Sequence, residues 1–477
     1  MMDDNFLTVR GDTIVTQDGN TVYLRGVNIG GWMNMENFIA GYPGHEAGLR
    51  RAVAQVLGEE KASLFFEEFL DSSFAEADVR FLKELGCTVL RLPLNYRHFE
   101  ADDAPFVYKE SGFARVDRAL AWAARHGIYV ILDLHAVQGW QNRGWHADNA
   151  TGATHFWGDK GFEDRAVGLW EQLAGRYRDE PWVAGYNVMN EPDADDVRWL
   201  NHYYRRVVDA IRSVDPDHII FLEGNRYSTD FSELEPPFAE NLVYSSHLYV
   251  PPGLDLIGYP AEADGVVYDR EWVAQAFARR RAFARAHGVP HFMGEFGTIY
   301  ATPELEDARL RLMADMIDVM AQAGDHWAIW TYKDVGKMGL VVIDPQSPWM
   351  QCTALLRETK ARLRADSWIE RGKSPVDTLI AALAETAAEA ADGALDVEEL
   401  RPALTVAVQD IVFSRALLPA FAARFAGMSG AEIKTMMVES FALENCLIRE
   451  TLAALLHHRL AGAGQAGKEG HSAVSPG

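Results

Sequence analysis

Between residues 23 and 365 the apolar positions fall into short unbroken runs, separated by longer stretches of helical spacing. The runs cover 23–28, 88–93, 129–134, 183–190, 219–224, 243–248, 291–294 and 327–330. Runs of this length read as strands buried on both faces, as in a parallel sheet. Between them, apolar residues recur every three or four positions near 74–85, 115–126, 162–178, 196–213, 269–287 and 303–323, with a last such stretch near 350–364. The link between the fifth and sixth runs is short and holds Pro236 and Pro237, which leaves little room for a helix. Eight strands alternating with helices predict a (β/α)8 TIM barrel of the α/β class. Chemistry in that fold sits at the C-terminal ends of the strands.

The pattern differs on either side. Residues 7–23 alternate, with turn signals at Arg10-Gly11 and Asp18-Gly19, and predict a short hairpin before the barrel. The segment 29–73 is far longer than an ordinary connection and is expected to help build the site wall. From residue 375 the strand runs stop, and Val376, Leu379, Ile380 and Leu383 recur at helical spacing. Asp396 and Ser429 each precede a glutamate by three residues (Glu399, Glu432), the spacing of a capping box. The chain therefore divides into a barrel with its hairpin (1–368), a C-terminal all-helical appendage of three or four helices (375–460) and a Gly/Ala/Ser-rich tail (461–477) expected to be disordered. The appendage holds more apolar residues than it can hide, among them Ile411, Val412, Phe421, Phe425, Met436 and Phe441. Its candidate covers are the barrel's flank, the same region of a second chain in a homo-oligomer, or another protein. The run Arg279-Arg280-Arg281 reads as the solvated face of a barrel helix.

Composition narrows the class. Hydrophobic residues make up 48% of the 477 positions, enough for a full core. The formal charge of -24 argues against nucleic acid or an anionic membrane as partner. No run of about 18 apolar residues is present, so no membrane span is expected. Cys87, Cys352 and Cys446 are too few and too scattered for a disulfide frame. Together with an acidic N-terminus lacking a signal pattern, they point to a cytoplasmic location.

Two stretches carry the chemistry. YNVMNEP (186–192) and FMGEFG (292–297) each run through apolar or small residues to a glutamate, Glu191 and Glu295. About a hundred residues separate them, which sets the two carboxyls across the barrel mouth from each other. Such a pair suits acetal cleavage: one protonates the leaving oxygen while the other attacks or stabilises the anomeric carbon. The acid is expected to have its pKa raised by the facing anion. Other strand ends carry Arg91, His135, Asn190, His247, Tyr249 and Trp330. Each alone is more often a packed or satisfied core residue; their common placement is what packing does not require. His135, His146 and His155 fall in one loop region without metal-ligand spacing, and no phosphate loop or Gly-x-Ser-x-Gly elbow occurs. Neither metal nor cofactor is expected.

This constellation resembles glycoside hydrolase family 5, retaining β-glycosidases built on the barrel. The resemblance covers about 20–365 and implies Glu191 as acid/base and Glu295 as nucleophile. It also implies that Asn190 holds the sugar 2-hydroxyl, that Arg91 and Tyr249 orient Glu295, and that Trp330 is the platform under the sugar. LRGVNIGGWMNMEN and DLHAVQGWQN are similar to stretches of fungal exo-β-1,3-glucanases in that family. That likeness places Glu36 against the terminal sugar, and the long segments 29–73, with Trp32 and Glu36, and 136–160, with Trp140, Asn142 and Trp145, are expected to wall off one end of the cleft. The implied activity is hydrolysis of the terminal sugar, a β-glucoside or related hexoside, from a small glycoside or oligosaccharide. An endo-acting β-glucanase or β-mannanase with an open groove, or a non-catalytic sugar-binding barrel, fits the same residues.

Overall fold

The computed structural model describes residues 6–255, 257–300, 302–365 and 374–469, with 461–469 given by backbone alone. Eight parallel strands close into a barrel: β1 (Arg25–Asn28), β2 (Val89–Asn95), β3 (Tyr129–Ala136), β4 (Val183–Asn187), β5 (Ile219–Glu223), β6 (Leu242–Leu248), β7 (His291–Phe296) and β8 (His326–Ile329). Each lies within a few residues of its predicted run. The largest difference is at β4, which stops at Asn187 rather than 190. There the chain turns out of the sheet toward Glu191, whose φ of 47° no strand can hold. Helices follow the strands at the predicted places, from Glu76–Glu84 to Pro348–Leu363. Between β5 and β6 there is only the turn Asn225–Ser228 and irregular chain.

The hairpin Leu7–Arg10 and Thr13–Thr16 plugs the N-terminal end of the barrel. Its Leu7 and Ile14 join Val89, Ile131, Ile219 and Phe292 in one apolar cluster. Chemistry is thereby confined to the opposite mouth. The long segment after β1 is ordered by three helices, Asn37–Ala40, Glu46–Leu57 and Glu59–Ser73. Its turns are tied internally: Trp32 Nε1 donates to Leu70 O (2.9 Å) and Tyr42 OH to Met35 O (2.7 Å).

The C-terminal region is helical as expected: Pro375–Ala390, a continuous run from Val397 to Ala422, Gly430–Phe441 and Glu450–Glu469. Ser429 and Glu432 form the capping box read from their spacing, whereas Asp396 caps by accepting from Glu398 N. The last helix continues to Glu469, where an irregular tail was expected from Ala461; residues 470–477 lie outside the described residues. The region also contributes a strand that was not foreseen. Cys446–Ile448 pairs with Val341–Ile343, which pairs with Lys333–Asp334 beside the barrel.

The region's apolar face is covered by the barrel's own flank. Phe425 meets Phe65 (ring centroids 4.9 Å) and Phe441 meets Phe69 and Trp349 (4.9 and 5.3 Å). Phe421, Phe425, Met436, Met437 and Phe441 belong to the same core as the barrel helices. That face therefore no longer argues for a second copy, although Leu379 and Leu383 of the first helix stay exposed. Among the described residues, Val397–Phe425 is the one helical stretch long and apolar enough to cross a membrane. It carries Pro402, Asp410 and Pro419, and its Leu418, Phe421 and Phe425 are spent on the core.

Candidate active site

Arg91, at the middle of β2 and fully buried, organises the strand ends. Its Nη1 donates to Glu295 Oε1 (3.0 Å) and Asn28 Oδ1 (2.9 Å), and its Nη2 to Asn190 Oδ1 (2.8 Å) and Glu223 Oε1 (3.0 Å). Nε reaches Asn187 Oδ1 (3.0 Å), and Asp133 Oδ1 stands 3.1 Å from Nη2. A planar guanidinium can satisfy so many acceptors at fixed angles, which a lysine could not.

Glu191 and Glu295 face each other over this base. A carboxylate oxygen of each, together with a ring nitrogen of His247, lies within 4.8 Å of the others. His247 Nδ1 is 2.7 Å from Glu191 Oε1 and 3.6 Å from Glu295 Oε2. The second oxygen of Glu191 is 3.0 Å from His146 Nε2, and Tyr249 OH donates to Glu295 Oε2 (2.8 Å). These three ligand atoms could also hold a metal ion, but each is already engaged by these neighbours. Behind Glu191, its backbone N donates to Glu223 Oε2 (2.8 Å) and Asn142 Nδ2 donates to its carbonyl (2.9 Å). The left-handed backbone of Glu191 is thus held from both sides.

Burial and charge oppose each other throughout. Burial works against a charged ring in His247, but Glu295, Glu223 and Glu191 reverse this and push it up to about 10. His135 behaves alike: burial lowers it, Asp133 (2.7 Å) and Glu36 (3.3 Å) overcome that, and it too rises to about 10. Burial would raise Glu191, yet the hydrogen bonds with His146 and His247 hold it well below the usual carboxylate range. For Glu295 burial prevails; the facing Glu191 adds to the rise while His247 and Arg91 pull against it. The order expected from sequence is therefore reversed, with Glu191 lowered and Glu295 raised. The cause is the hydrogen bonds that Glu191 makes with His146 and His247.

A cavity of about 420 Å³ opens above the carboxylates. Of the predicted residues, Glu36, His135, Glu191, Tyr249, Glu295 and Trp330 line it. His135 stacks on Trp330 (ring centroids 5.4 Å, planes 9° apart), and the Trp330–Thr331 peptide is cis. Arg91 stands behind the lining and holds Glu295, the role expected of it, while Asn190 and His247, expected to meet substrate, also stand behind it and hold His135 and Glu191. Asn142 is likewise fully buried: its amide fixes Glu191 and His146 rather than lining the cavity. The basic run on the β6–β7 helix is not merely a solvated face, since Arg280 Nε donates to His247 O (3.0 Å).

Sequence reasoning missed Glu223, Asp133 and His146. Glu223 ends β5 in IIFLE, the same apolar-run-to-glutamate signature that singled out Glu191 and Glu295. Buried, it is held near pKa 2: burial would raise it, but His247 and Arg91 outweigh that. It also accepts from Ser228 Oγ across three consecutive left-handed residues, Arg226, Tyr227 and Ser228 (φ 52°, 56° and 61°). Such a segment stores about 1 kcal/mol or more per residue and turns Tyr227 into the cavity. His146 stood in view in the sequence, but only the fold brings it to Glu191.

The sequence profile of Cellulase (glycosyl hydrolase family 5) matches residues 59–336. The chain belongs to glycosyl hydrolase family 5. As a family member it is a glycosidase with a carbohydrate substrate, on the barrel that the strands build. Among its relatives is a Beta-xylosidase of Phanerodontia chrysosporium, 39% identical over 94% of this chain and 97% of that protein. A Probable glucan 1,3-beta-glucosidase A of Aspergillus clavatus is 30% identical, over 47% of this chain and 55% of that protein. A solved structure, the cellulose synthase subunit Z of Clostridioides difficile, has the same fold. It covers 67% of this chain and 94% of its own, with a TM-score of 0.51 and 19% identity.

Proposed function

We propose that the protein is a retaining, exo-acting β-glycosidase that releases the terminal β-linked sugar of a small glycoside or oligosaccharide. The observation that carries this is the approach of the two carboxylates, with an oxygen of each within 4.8 Å. Retaining enzymes hold their carboxyls roughly 5–5.5 Å apart, whereas inverting ones leave about 6.5–9.5 Å for a water between them. In this reading Glu295, oriented by Arg91 and Tyr249, attacks the anomeric carbon while Glu191 gives a proton to the departing oxygen. The glycosyl ester on Glu295 is then cleaved by a water that Glu191 deprotonates. His247, 2.7 Å from Glu191 and with its pKa pushed up to about 10, supplies the proton that Glu191 passes on.

Exo action is supported by the wall around Trp330. Phe38 and Ile39, from the long loop after β1, cluster with Trp330, Ile299 and Met338 at one end of the cavity. Glu36, 3.3 Å from His135, belongs to the same end and suits the outer hydroxyls of one terminal sugar. The relative that matches nearly the whole chain is named a beta-xylosidase, which favours a β-xyloside ahead of the β-glucoside expected from the N-terminal wall. Initial rates on aryl β-xyloside, β-glucoside, β-mannoside and β-galactoside, followed by product analysis on an oligosaccharide, test the reading. Monosaccharide should appear first, and fastest from the xyloside. Early release of mixed oligomers contradicts exo action, and no turnover on any of the four contradicts the glycosidase assignment as proposed.

A further inference from the structure

One wall of the cavity comes from outside the barrel. Val406 and Asp410 line it, and both lie on Val406–Phe413, where the long C-terminal helix widens to i→i+5 turns. Such turns recur at functional sites because the added residue re-aims the side chains around it. This one is clamped from behind. Gln409, fully buried, donates to Asp377 Oδ1 (2.7 Å) on the preceding helix, and Ser414 Oγ donates to Gln409 O (3.1 Å). It is also pressed onto both site loops. A Cβ added at Gly152 would meet Val406 and Ile411 at 2.9 and 3.0 Å, and one added at Gly48 would meet Leu418 at 3.0 Å. The helix therefore bridges the loop that carries Trp145 and His146 and the segment that carries Glu36 and Phe38.

Which side of the cleavage point this wall serves follows from proton transfer. The leaving group must lie against Glu191, where the lining is Arg143, Trp145, His146 and Tyr227. Those residues belong to the loop under the widened turn or neighbour it, for Tyr227 meets the His146 ring at 6.2 Å. We propose that the C-terminal helices are part of the substrate site: Val406–Phe413 closes its leaving-group side and, with Arg143 and Trp145, forms a subsite for a sugar unit of the leaving group. Around one cavity stand an acceptor carboxylate (Asp410), a guanidinium donor (Arg143) and an aromatic ring (Trp145). That set meets what a saccharide offers, hydroxyls that both donate and accept and an apolar C–H face. An aryl or alkyl leaving group would use the ring but offer no hydroxyls to the two charged groups.

This inference rests on the glycosidase reading, so the test separates the two. Values of kcat/KM are measured for a β-linked disaccharide and an aryl β-glycoside of the same sugar, with wild type, Asp410→Asn and Asp410→Ala. The expected result is a disaccharide-to-aryl ratio lower by about tenfold in Asp410→Ala and by less in Asp410→Asn, as for a lost hydrogen bond to a charged group. The loss should appear in KM for the disaccharide. A parallel fall on both substrates, or an unchanged ratio in a folded variant, overturns the subsite. Should Asp410→Ala fail to fold, the shape-conserving Asp410→Asn decides by the same ratio. Wild type that cleaves the aryl glycoside but no disaccharide also overturns the subsite while leaving the glycosidase reading intact. Wild type that cleaves neither overturns that reading itself.

Discussion

Glu191 and Glu295 carry the same side chain, and their neighbours separate their roles. Glu295 meets a permanent cation and a phenol, Arg91 and Tyr249, which favour an anion ready to attack. Glu191 meets two imidazoles, His146 at 3.0 Å and His247 at 2.7 Å, in place of a permanent cation. If Glu295 is the nucleophile as proposed, Glu295→Gln should lower kcat/KM at least ~10⁴-fold on every substrate. Glu191→Gln should cost ~10²–10⁴-fold on sugar leaving groups and far less on dinitrophenyl glycosides, which leave without a proton. Steady-state kinetics on both substrate classes check this, and an equal loss for Glu191→Gln on both would contradict its role. The imidazoles also shape stability against pH. His135 and His247 have folded pKa values raised to about 10, above an unfolded value of about 6.5. Their contribution is full below about 6.5 and is lost as pH rises through 10. Glu223, lowered to about 2, contributes above its unfolded value of about 4.3 and loses that as pH falls toward 2. A His247→Gln variant should thus show a flatter fall of Tm between pH 7 and 10 than wild type. An unchanged alkaline slope would contradict the assignment.

At the scale of elements, strands were legible because a buried parallel strand is a continuous apolar run, and its polar end marks the mouth. His135, Glu191 and Glu295 were found that way, at or just past such ends, while Arg91 lies inside β2 rather than at its end. Glu223 obeyed the same rule and was overlooked because the chain beyond β5 held no helix to draw attention to it. Val406 and Asp410 had no such signal. Nothing local in a helix says which cavity it will cover, and only docking on the barrel decides that. The docking has a polar pin. Lys333 Nζ, buried, donates to Asp78 Oδ1 (2.9 Å), Ser73 O (3.0 Å) and Phe441 O (2.7 Å), joining the small sheet, two barrel-side helices and the C-terminal region. Lys333→Met would strand the buried Asp78 charge and release the end of helix Gly430–Phe441. It should cost about 3–5 kcal/mol of unfolding free energy in urea titration. A loss under about 1 kcal/mol would mean that apolar contacts alone hold the region in place.

For the molecule as a whole, the plugged N-terminal end, the loop walls and the C-terminal helices leave access to the carboxylates from one mouth. On the function proposed above, every part bears on one chemical event, displacement at an anomeric carbon by Glu295 with Glu191 giving and then taking a proton. Stereochemistry reports that event without assumptions about the sugar or the leaving group. Two displacements in sequence return the anomeric centre to its starting configuration, whereas a single attack by water inverts it. The measurement is the proton NMR spectrum of an aryl β-glycoside digest, taken in the first minutes before mutarotation mixes the anomers. The β-anomer of the released sugar should appear first, with the α-anomer growing only later. Initial appearance of the α-anomer would contradict the double displacement and the roles assigned to Glu191 and Glu295.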